Sequence, residues 1–147
     1  MPVARWVAPF TTALTLAGTA VSVYLTIDHY SESDLLVCGE GATVNCGAVT
    51  QSAQSMFLGV PVALLGLLWF AGMVGLCLPA AWSASSVRVH QLRLVGAVAG
   101  MGFVLWLIYA ELIIVGAICL WCTVAHVLAF ALFAVVVMTA RDLVGVD

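Results

Sequence analysis

The sequence predicts an all-α membrane protein, a bundle of four transmembrane helices with an extracytoplasmic loop between helices 1 and 2. Of its 147 residues, 65% are hydrophobic and only 7% are charged, and the mean hydropathy is +1.21. Soluble domains are about half apolar and about a quarter charged. Long uncharged runs divide the chain, and every basic residue lies outside or at the edge of these runs. We expect residues 1–147 to form a single integral-membrane domain.

Four apolar stretches are long enough to cross a bilayer as helices, because a crossing needs about 20 residues. The predicted spans are, approximately, residues 7–28, 57–80, 90–111 and 116–139. The last two cannot be one helix, since at about 1.5 Å per residue it would far exceed the bilayer thickness. Glu111 and Gly116 mark the expected turn. The Gly96-x-x-x-Gly100 pattern predicts a close approach of the third span to a neighbour.

The first apolar run has a second interpretation, as a signal peptide that is removed. Arg5 and the small residues at 17–20 are compatible with it. The run continues past them to Ile27, however, and no soluble domain follows. We therefore expect a retained helix.

The arginines predict the orientation. The chain has no lysine, and with four spans its four arginines, Arg5, Arg88, Arg93 and Arg141, all fall on one side. An excess of basic residues marks the cytoplasmic side. The N- and C-termini are thus expected in the cytoplasm of a multi-pass plasma-membrane protein. The loop at residues 30–55 and the turn before the fourth span are expected outside it.

Two pairs of cysteines fall on this extracytoplasmic side. Cys119-Leu-Trp-Cys122 is a C-x-x-C motif at the start of the fourth span. On a helix the two sulfurs share a face, and the N–H groups of the first turn favour the thiolate form. Such a redox pair can face an aqueous partner on one side and a lipid-soluble one on the other.

The second pair, Cys38 and Cys46, lies in the longest polar segment, with seven residues between the two cysteines. Gly39, Gly41 and Gly47 predict a mobile loop here. Such a loop can exchange its disulfide with the C-x-x-C through a mixed disulfide.

Other interpretations of the cysteines remain open. Both pairs could be static disulfides that brace the outer loop, although a disulfide within one helical turn braces little. Four thiolates could instead bind zinc, but the spacing of the loop pair is unlike that of ordinary zinc sites. The fifth cysteine, Cys77, lies in an apolar run and receives no role.

Two further side chains of the fourth span are candidates for the site. His126 shares a helix face with both cysteines of the motif, and an ionisable residue within a span is a functional candidate. It could hydrogen-bond a quinone carbonyl or supply its proton, or it could be satisfied by a neighbouring helix. Trp121 could belong to an interfacial aromatic belt or could shape a quinone pocket.

Together these features resemble the vitamin K epoxide reductase family, in its bacterial quinone-reducing branch. The matching pieces, in order, are Cys38-x7-Cys46, Ser52, Phe57-Leu58-Gly59-Val60-Pro61 and Ile118-Cys119-Leu120-Trp121-Cys122. Each piece is weak alone. Their order, spacing and sidedness make the resemblance specific.

The resemblance implies roles for the residues that match. Cys122 would be the thiolate beside the quinone, Cys119 would exchange with Cys46, and Cys38 would face the outside partner. Ser52 matches a serine near the quinone head. The family's asparagine contact has no secure match, and Gln54 or Ser55 stands near its place.

Two departures from the family pattern matter. Many bacterial members carry a fused thioredoxin-like domain, whereas this sequence ends at Asp147, so we expect a separate thioredoxin-fold partner. Animal members have a tyrosine where His126 stands. The resemblance therefore implies quinone reduction but gives no support for epoxide reduction.

The sequence thus predicts a thiol–quinone oxidoreductase that reoxidises an extracytoplasmic thioredoxin-fold disulfide oxidase and reduces ubiquinone or menaquinone. No metal is expected, and without a basic patch no nucleic acid is expected either. An unrelated quinone-linked oxidase family carries its C-x-x-C in the first outer loop, where this chain has C-x7-C. The remaining alternative is a small transporter or assembly scaffold with structural disulfides.

Overall fold

Four apolar helices form the body of the protein in a computed structural model that describes residues 4–31, 36–38 and 41–144, with side chains described to residue 140. Helix α1 is Val7–Tyr30, α3 is Val62–Cys77, α5 is Val87–Tyr109 and α6 is Leu120–Val144. Helix α1 packs on α3 and α6, and α5 packs on the same two helices. The four helices therefore surround one core, as a bundle requires.

The shorter elements lie at the two ends of this bundle. At one end the chain forms α2 (Cys46–Thr50), a 3₁₀ turn (Ala53–Ser55) and a hairpin of β1 (Met56–Phe57) and β2 (Val60–Pro61). At the other end, α4 (Pro79–Trp82) connects α3 to α5.

The hairpin pairs Met56 with Pro61 and Phe57 with Val60 in antiparallel register. Leu58 and Gly59 both have positive φ angles, of 50° and 81°, which is the geometry of a type I′ hairpin turn. This turn presents the side chain of Leu58 at 90% exposure. An apolar tip of this kind suits the interfacial region of a bilayer.

Three of the helices are long and apolar enough to span a membrane in the described part of the chain: Val7–Tyr30, Val87–Val115 and Leu120–Ala140. Helix α3 has 16 residues and is about 24 Å long at the usual rise per residue. The predicted second span, residues 57–80, is therefore shorter as a helix than expected, because the hairpin occupies its first residues and Pro79 opens a separate turn. The mostly helical bundle is confirmed, and the count of four spans stays a prediction.

The predicted turn between the third and fourth spans is found at Gly116. Helix α5 continues as a π-helical segment, Ala110–Val115, which ends when Gly116 adopts a φ of 70°. The Gly116 N–H donates to the Glu111 carbonyl at 2.9 Å. Gly116 thus satisfies a helix-end carbonyl in a conformation that other residues rarely adopt.

The Gly96-x-x-x-Gly100 pattern faces the indole of Trp69. The Trp69 Nε1–H donates to the Gly96 carbonyl at 2.9 Å, and a Cβ on Gly100 would overlap the same ring. The close approach predicted for this pattern is therefore between the backbone of α5 and a large side chain of α3.

Replacing Gly100 with alanine should lower the free energy of unfolding by about 1–3 kcal/mol, because the new methyl displaces Trp69 from its place. Gly102→Ala is the matched control, since nothing lies within 4 Å of a Cβ there. Equilibrium unfolding in detergent compares the two. Equal stability of the variants would contradict this account of the α3–α5 contact.

Candidate functional site

Four cysteines come together at the end of the bundle that carries α2 and the start of α6. Cys46 and Cys119 are buried in one apolar cluster with Leu25, and Cys38 and Cys122 pack against that cluster. The two pairs are more than 70 residues apart in sequence. The fold thus joins the loop pair and the C-x-x-C into one group of sulfur atoms.

Backbone hydrogen bonds attach the loop to the segment before α6. Val44 and Ile118 form a parallel bridge. The Asn45 N–H donates to the Ile118 carbonyl at 3.1 Å, and the Ile118 N–H donates to the Thr43 carbonyl at 2.9 Å. Asn45 directly precedes Cys46 and Ile118 directly precedes Cys119, so these hydrogen bonds hold the backbones of the two cysteines near each other.

Aromatic contacts hold the part of the loop that contains Cys38. The Trp121 Nε1–H donates to the Val37 carbonyl at 3.3 Å, and the Trp121 ring packs edge-to-face on Tyr24 with centroids 4.9 Å apart. The Val37 N–H in turn donates to the Tyr24 hydroxyl at 3.2 Å. Residues 36–38 are therefore fastened to both α1 and α6.

Cys38 and Cys46 form a disulfide, with Cα atoms 6.2 Å apart. Cys46 is the first residue of α2, and the Asn45 side chain caps that helix by accepting the Ala48 N–H at 2.9 Å. The segment predicted as a mobile loop therefore carries Cys46 on a capped helical turn, 2% exposed. Gly39 and Glu40, which lie between the two cysteines, fall outside the described residues.

Cys119 and Cys122 are free thiols at the start of α6. Cys119 precedes the helix, and its Sγ accepts the backbone N–H of Cys122 at 3.2 Å, as a capping group does. Hydrogen bonds from the Cys122 side chain and backbone lower the pKa of the Cys119 thiol below its usual value. The helix end thus stabilises a thiolate at Cys119, beside the loop disulfide.

A cavity of about 520 Å³ opens on the other side of Cys122. Its walls are mainly apolar and aromatic, and include Leu25, Phe57, Trp69, Phe70, Phe103 and Val104. Its polar groups include His29, Ser52, Gln54, Glu111, Cys122 and His126. A largely apolar pocket with a few polar groups is the usual form of a site for a small organic molecule.

The residues predicted for the site divide between these two places. Cys122, Ser52 and His126 line the cavity, and so do Gln54 and Ser55. Cys38, Cys46 and Cys119 belong to the buried cluster. Trp121 is not among the cavity-lining residues of the described chain, and contacts the loop instead. Their roles in chemistry stay predictions.

Glu111 is a site residue that sequence reasoning used only to mark a turn. Its side chain is 7% exposed and lines the cavity. The sequence signal was an acidic residue in the long apolar helix Val87–Val115, which has no other charged residue from Leu94 onward. Ionisable residues inside a span are usually functional.

The zinc interpretation and the unassigned Cys77 can be compared with the geometry. Among the residues that the structure describes, no three His, Cys, Asp or Glu side chains form a group suited to a metal ion. Cys77 lies at the opposite end of the bundle, fully buried in a cluster with Met73 and Ala97.

One comparison with known proteins bears on this site. The family model described as "Vitamin K epoxide reductase family" matches residues 9–137 of the chain. This match covers most of the sequence and includes all the cysteines and all the cavity-lining residues named above.

Proposed function

The chain belongs to the vitamin K epoxide reductase family, and from this premise we propose that it carries electrons from a thioredoxin-fold protein outside the cytoplasm to a membrane quinone. The family makes the protein an integral-membrane thiol–disulfide oxidoreductase. The direction of electron flow, the partner and the quinone are the parts that we propose.

One observation carries the proposal. The C-x-x-C lies between a second pair of cysteines and an apolar cavity, with Cys119 packed in the cluster of Cys46 and Cys122 at the cavity wall. A relay needs this order, because each sulfur must reach the next carrier without exposing the intermediate to water. Disulfides that only braced the loop would need no cavity at the second thiol.

The relay has three balanced steps. A reduced partner transfers two electrons to the Cys38–Cys46 disulfide, which opens to two thiols while the partner's disulfide forms. Cys46 then attacks an oxidised C-x-x-C at Cys119, Cys122 leaves as a thiolate, and Cys38 resolves the mixed disulfide. Finally, the Cys119–Cys122 dithiol closes to a disulfide, and its two electrons and two protons convert quinone to quinol.

The cavity suits a flat quinone head. Aromatic and aliphatic walls can cover the ring, and His126 is a polar group that can donate to one of its carbonyl oxygens. The Ser52 hydroxyl donates to the Val49 carbonyl at 2.7 Å, and we propose that it turns to donate to the other carbonyl oxygen of the quinone. We propose ubiquinone or menaquinone as the acceptor. The quinone carries the two-electron chemistry, and the chain supplies binding, orientation and an activated thiol.

The proposed topology places the four cysteines outside the cytoplasm and both termini inside it. In this topology the second crossing consists of α3 together with the hairpin before it and α4 after it. This arrangement keeps all four arginines on the cytoplasmic side.

The test is anaerobic turnover of the purified protein in detergent with a reduced thioredoxin-fold oxidase as donor and a short-chain ubiquinone or menaquinone as acceptor. We expect the quinone absorbance to fall only when protein, donor and quinone are all present. Cys77→Ala is the control for cysteine loss outside the relay and should keep the wild-type rate. An unchanged absorbance with intact, reducible cysteines would reject the proposal.

A further inference from the structure

The carboxyl group of Glu111 lies at the junction of the thiols and the cavity. It is carried by the π-helical segment Ala110–Val115, whose extra residue per turn is a feature often found at functional sites. Glu111 is only 7% exposed, and it lines the same cavity as Cys122 and His126.

The two carboxyl oxygens have different surroundings. The carboxyl interacts with the Cys122 thiol and with the backbone N–H of Cys119. Its Oε1 is buried and makes no hydrogen bond to any residue that the structure describes. A buried, unpartnered oxygen is costly, so an acid here is expected to have a partner that comes and goes. A proton, or an oxygen atom of a bound substrate, is such a partner.

The proposed reaction needs a proton path at this place. Closing the Cys119–Cys122 disulfide breaks two S–H bonds, and quinol formation makes two O–H bonds. The walls of the cavity are mainly apolar, and a fixed side chain can move a proton there without an ordered chain of water molecules. A side chain that lines the cavity with Cys122 and interacts with its thiol can move the proton.

We propose that Glu111 is a catalytic residue, the general base and acid that moves the Cys122 proton to the quinone. This inference rests on the proposed function and names one of its chemical groups. As the carboxylate, Glu111 accepts the proton of Cys122 Sγ, so one S–H bond breaks and one O–H bond forms on the glutamate. As the acid, it donates that proton to a quinone oxygen and returns to the carboxylate. The second proton of the quinol comes from the outer aqueous phase and replaces the one that Cys119 releases when it forms the thiolate.

A purely structural role for Glu111 makes a different prediction. If the carboxyl only accepted the Cys119 N–H and so fixed the C-x-x-C, a glutamine side chain would serve, since its carbonyl oxygen accepts the same hydrogen bond. Glutamine has nearly the same volume but cannot carry the proton. The comparison of Glu111→Gln with wild type therefore separates the two roles.

The experiment measures quinone reduction under turnover, with reduced partner in excess and short-chain ubiquinone as the probe. Glu111→Gln should lower kcat about 100-fold or more, the usual effect of losing a general acid–base group, and should change KM by less than about threefold because binding is retained. Glu111→Asp, with its carboxylate one methylene farther away, should lose about tenfold in kcat. Ile113→Ala, a lipid-facing change in the same segment, is the control and should match wild type.

A second readout isolates the proton step from the relay. Thiol–disulfide exchange between the reduced partner and the Cys38–Cys46 disulfide, followed by alkylation, should proceed in Glu111→Gln at the wild-type rate. A wild-type kcat in Glu111→Gln overturns the inference, and so does an equal loss in Ile113→Ala. If Glu111→Gln does not fold, Glu111→Asp decides, and a wild-type kcat there overturns it. Failure of the wild-type protein to reduce quinone would instead reject the proposed function.

Discussion

Cys122→Ser should abolish quinone reduction, lowering its rate on the order of 1,000-fold or more. A serine hydroxyl cannot close a disulfide with Cys119, so the two electrons have no route from the sulfur pair to the cavity. The loss should appear in kcat, measured by quinone absorbance with a reduced thioredoxin-fold donor. The unfolding midpoint should be unchanged, because Cys122 only packs at the edge of the buried cluster.

The same variant should trap the intermediate of the relay. With Cys122 absent, Cys38 is the one remaining relay thiol that can resolve a Cys46–Cys119 mixed disulfide, so this mixed disulfide should accumulate above its wild-type level, with Cys38 as a free thiol. Peptide mapping without reductant detects it. Cys77→Ala should retain both the rate and the wild-type disulfide pattern. Quinone reduction by Cys122→Ser at a rate near wild type would remove Cys122 from the mechanism.

Arg93→Ala should produce the largest loss of stability, about 3–5 kcal/mol in the free energy of unfolding. The guanidinium is 1% exposed. It donates to the Leu76 carbonyl at 2.7 Å and to the Ala81 carbonyl at 3.0 Å, which are at the ends of α3 and α4. It also lies 3.6 Å from the centroid of the Trp82 ring. Removing it takes a charged donor from these two part-buried carbonyls and ends a cation–π contact.

Arg88→Ala is the matched control for this prediction. Arg88 is on the same helix and is exposed, so its loss removes the same charge from the same side of the membrane but no buried contact. Its effect should be within about 0.5 kcal/mol. Unfolding in detergent at constant ionic strength measures both variants. Equal effects would mean that charge, and not the contacts of the guanidinium, explains any loss.

The bundle could be predicted from the sequence because apolar length and charge placement act over whole helices. Gly116 could be predicted as the turn for the same reason, since an apolar run that is too long for one crossing must reverse. The end of α3 could not, because hydropathy counts the apolar residues of the hairpin and of α4 as part of the same span. Hairpin formation at Leu58 and Gly59 depends on local φ angles, to which a hydropathy profile is insensitive.

Arg93 shows where charge counting fails. The sequence presents it as one more basic residue at a cytoplasmic helix end, equivalent to Arg88. In the structure it is a buried hydrogen-bond donor for the ends of two other helices. Only the packing of α3 and α4 against α5 distinguishes the two arginines, and that packing is tertiary information.

The site was predictable as far as its chemistry lies in residue type and spacing. The cysteines could be recognised by their pairing. The family resemblance supplied Ser52, and an ionisable side chain on the cysteine face of the fourth span indicated His126; both residues line the cavity. The interactions of Trp121 with Val37 and Tyr24 required knowledge of which loop residue lies over α6. That the Glu111 side chain lines the cavity depends on which face of a π-helical turn points inward, and residue type and spacing do not indicate this.

The complete burial of Cys119 has a consequence for selectivity in the proposed relay. A dissolved thiol such as glutathione has no direct access to this sulfur, so electrons reach it through the loop pair, of which Cys38 is half-buried and Cys46 is buried. The proposed enzyme would therefore favour a docked protein donor over small thiols in solution.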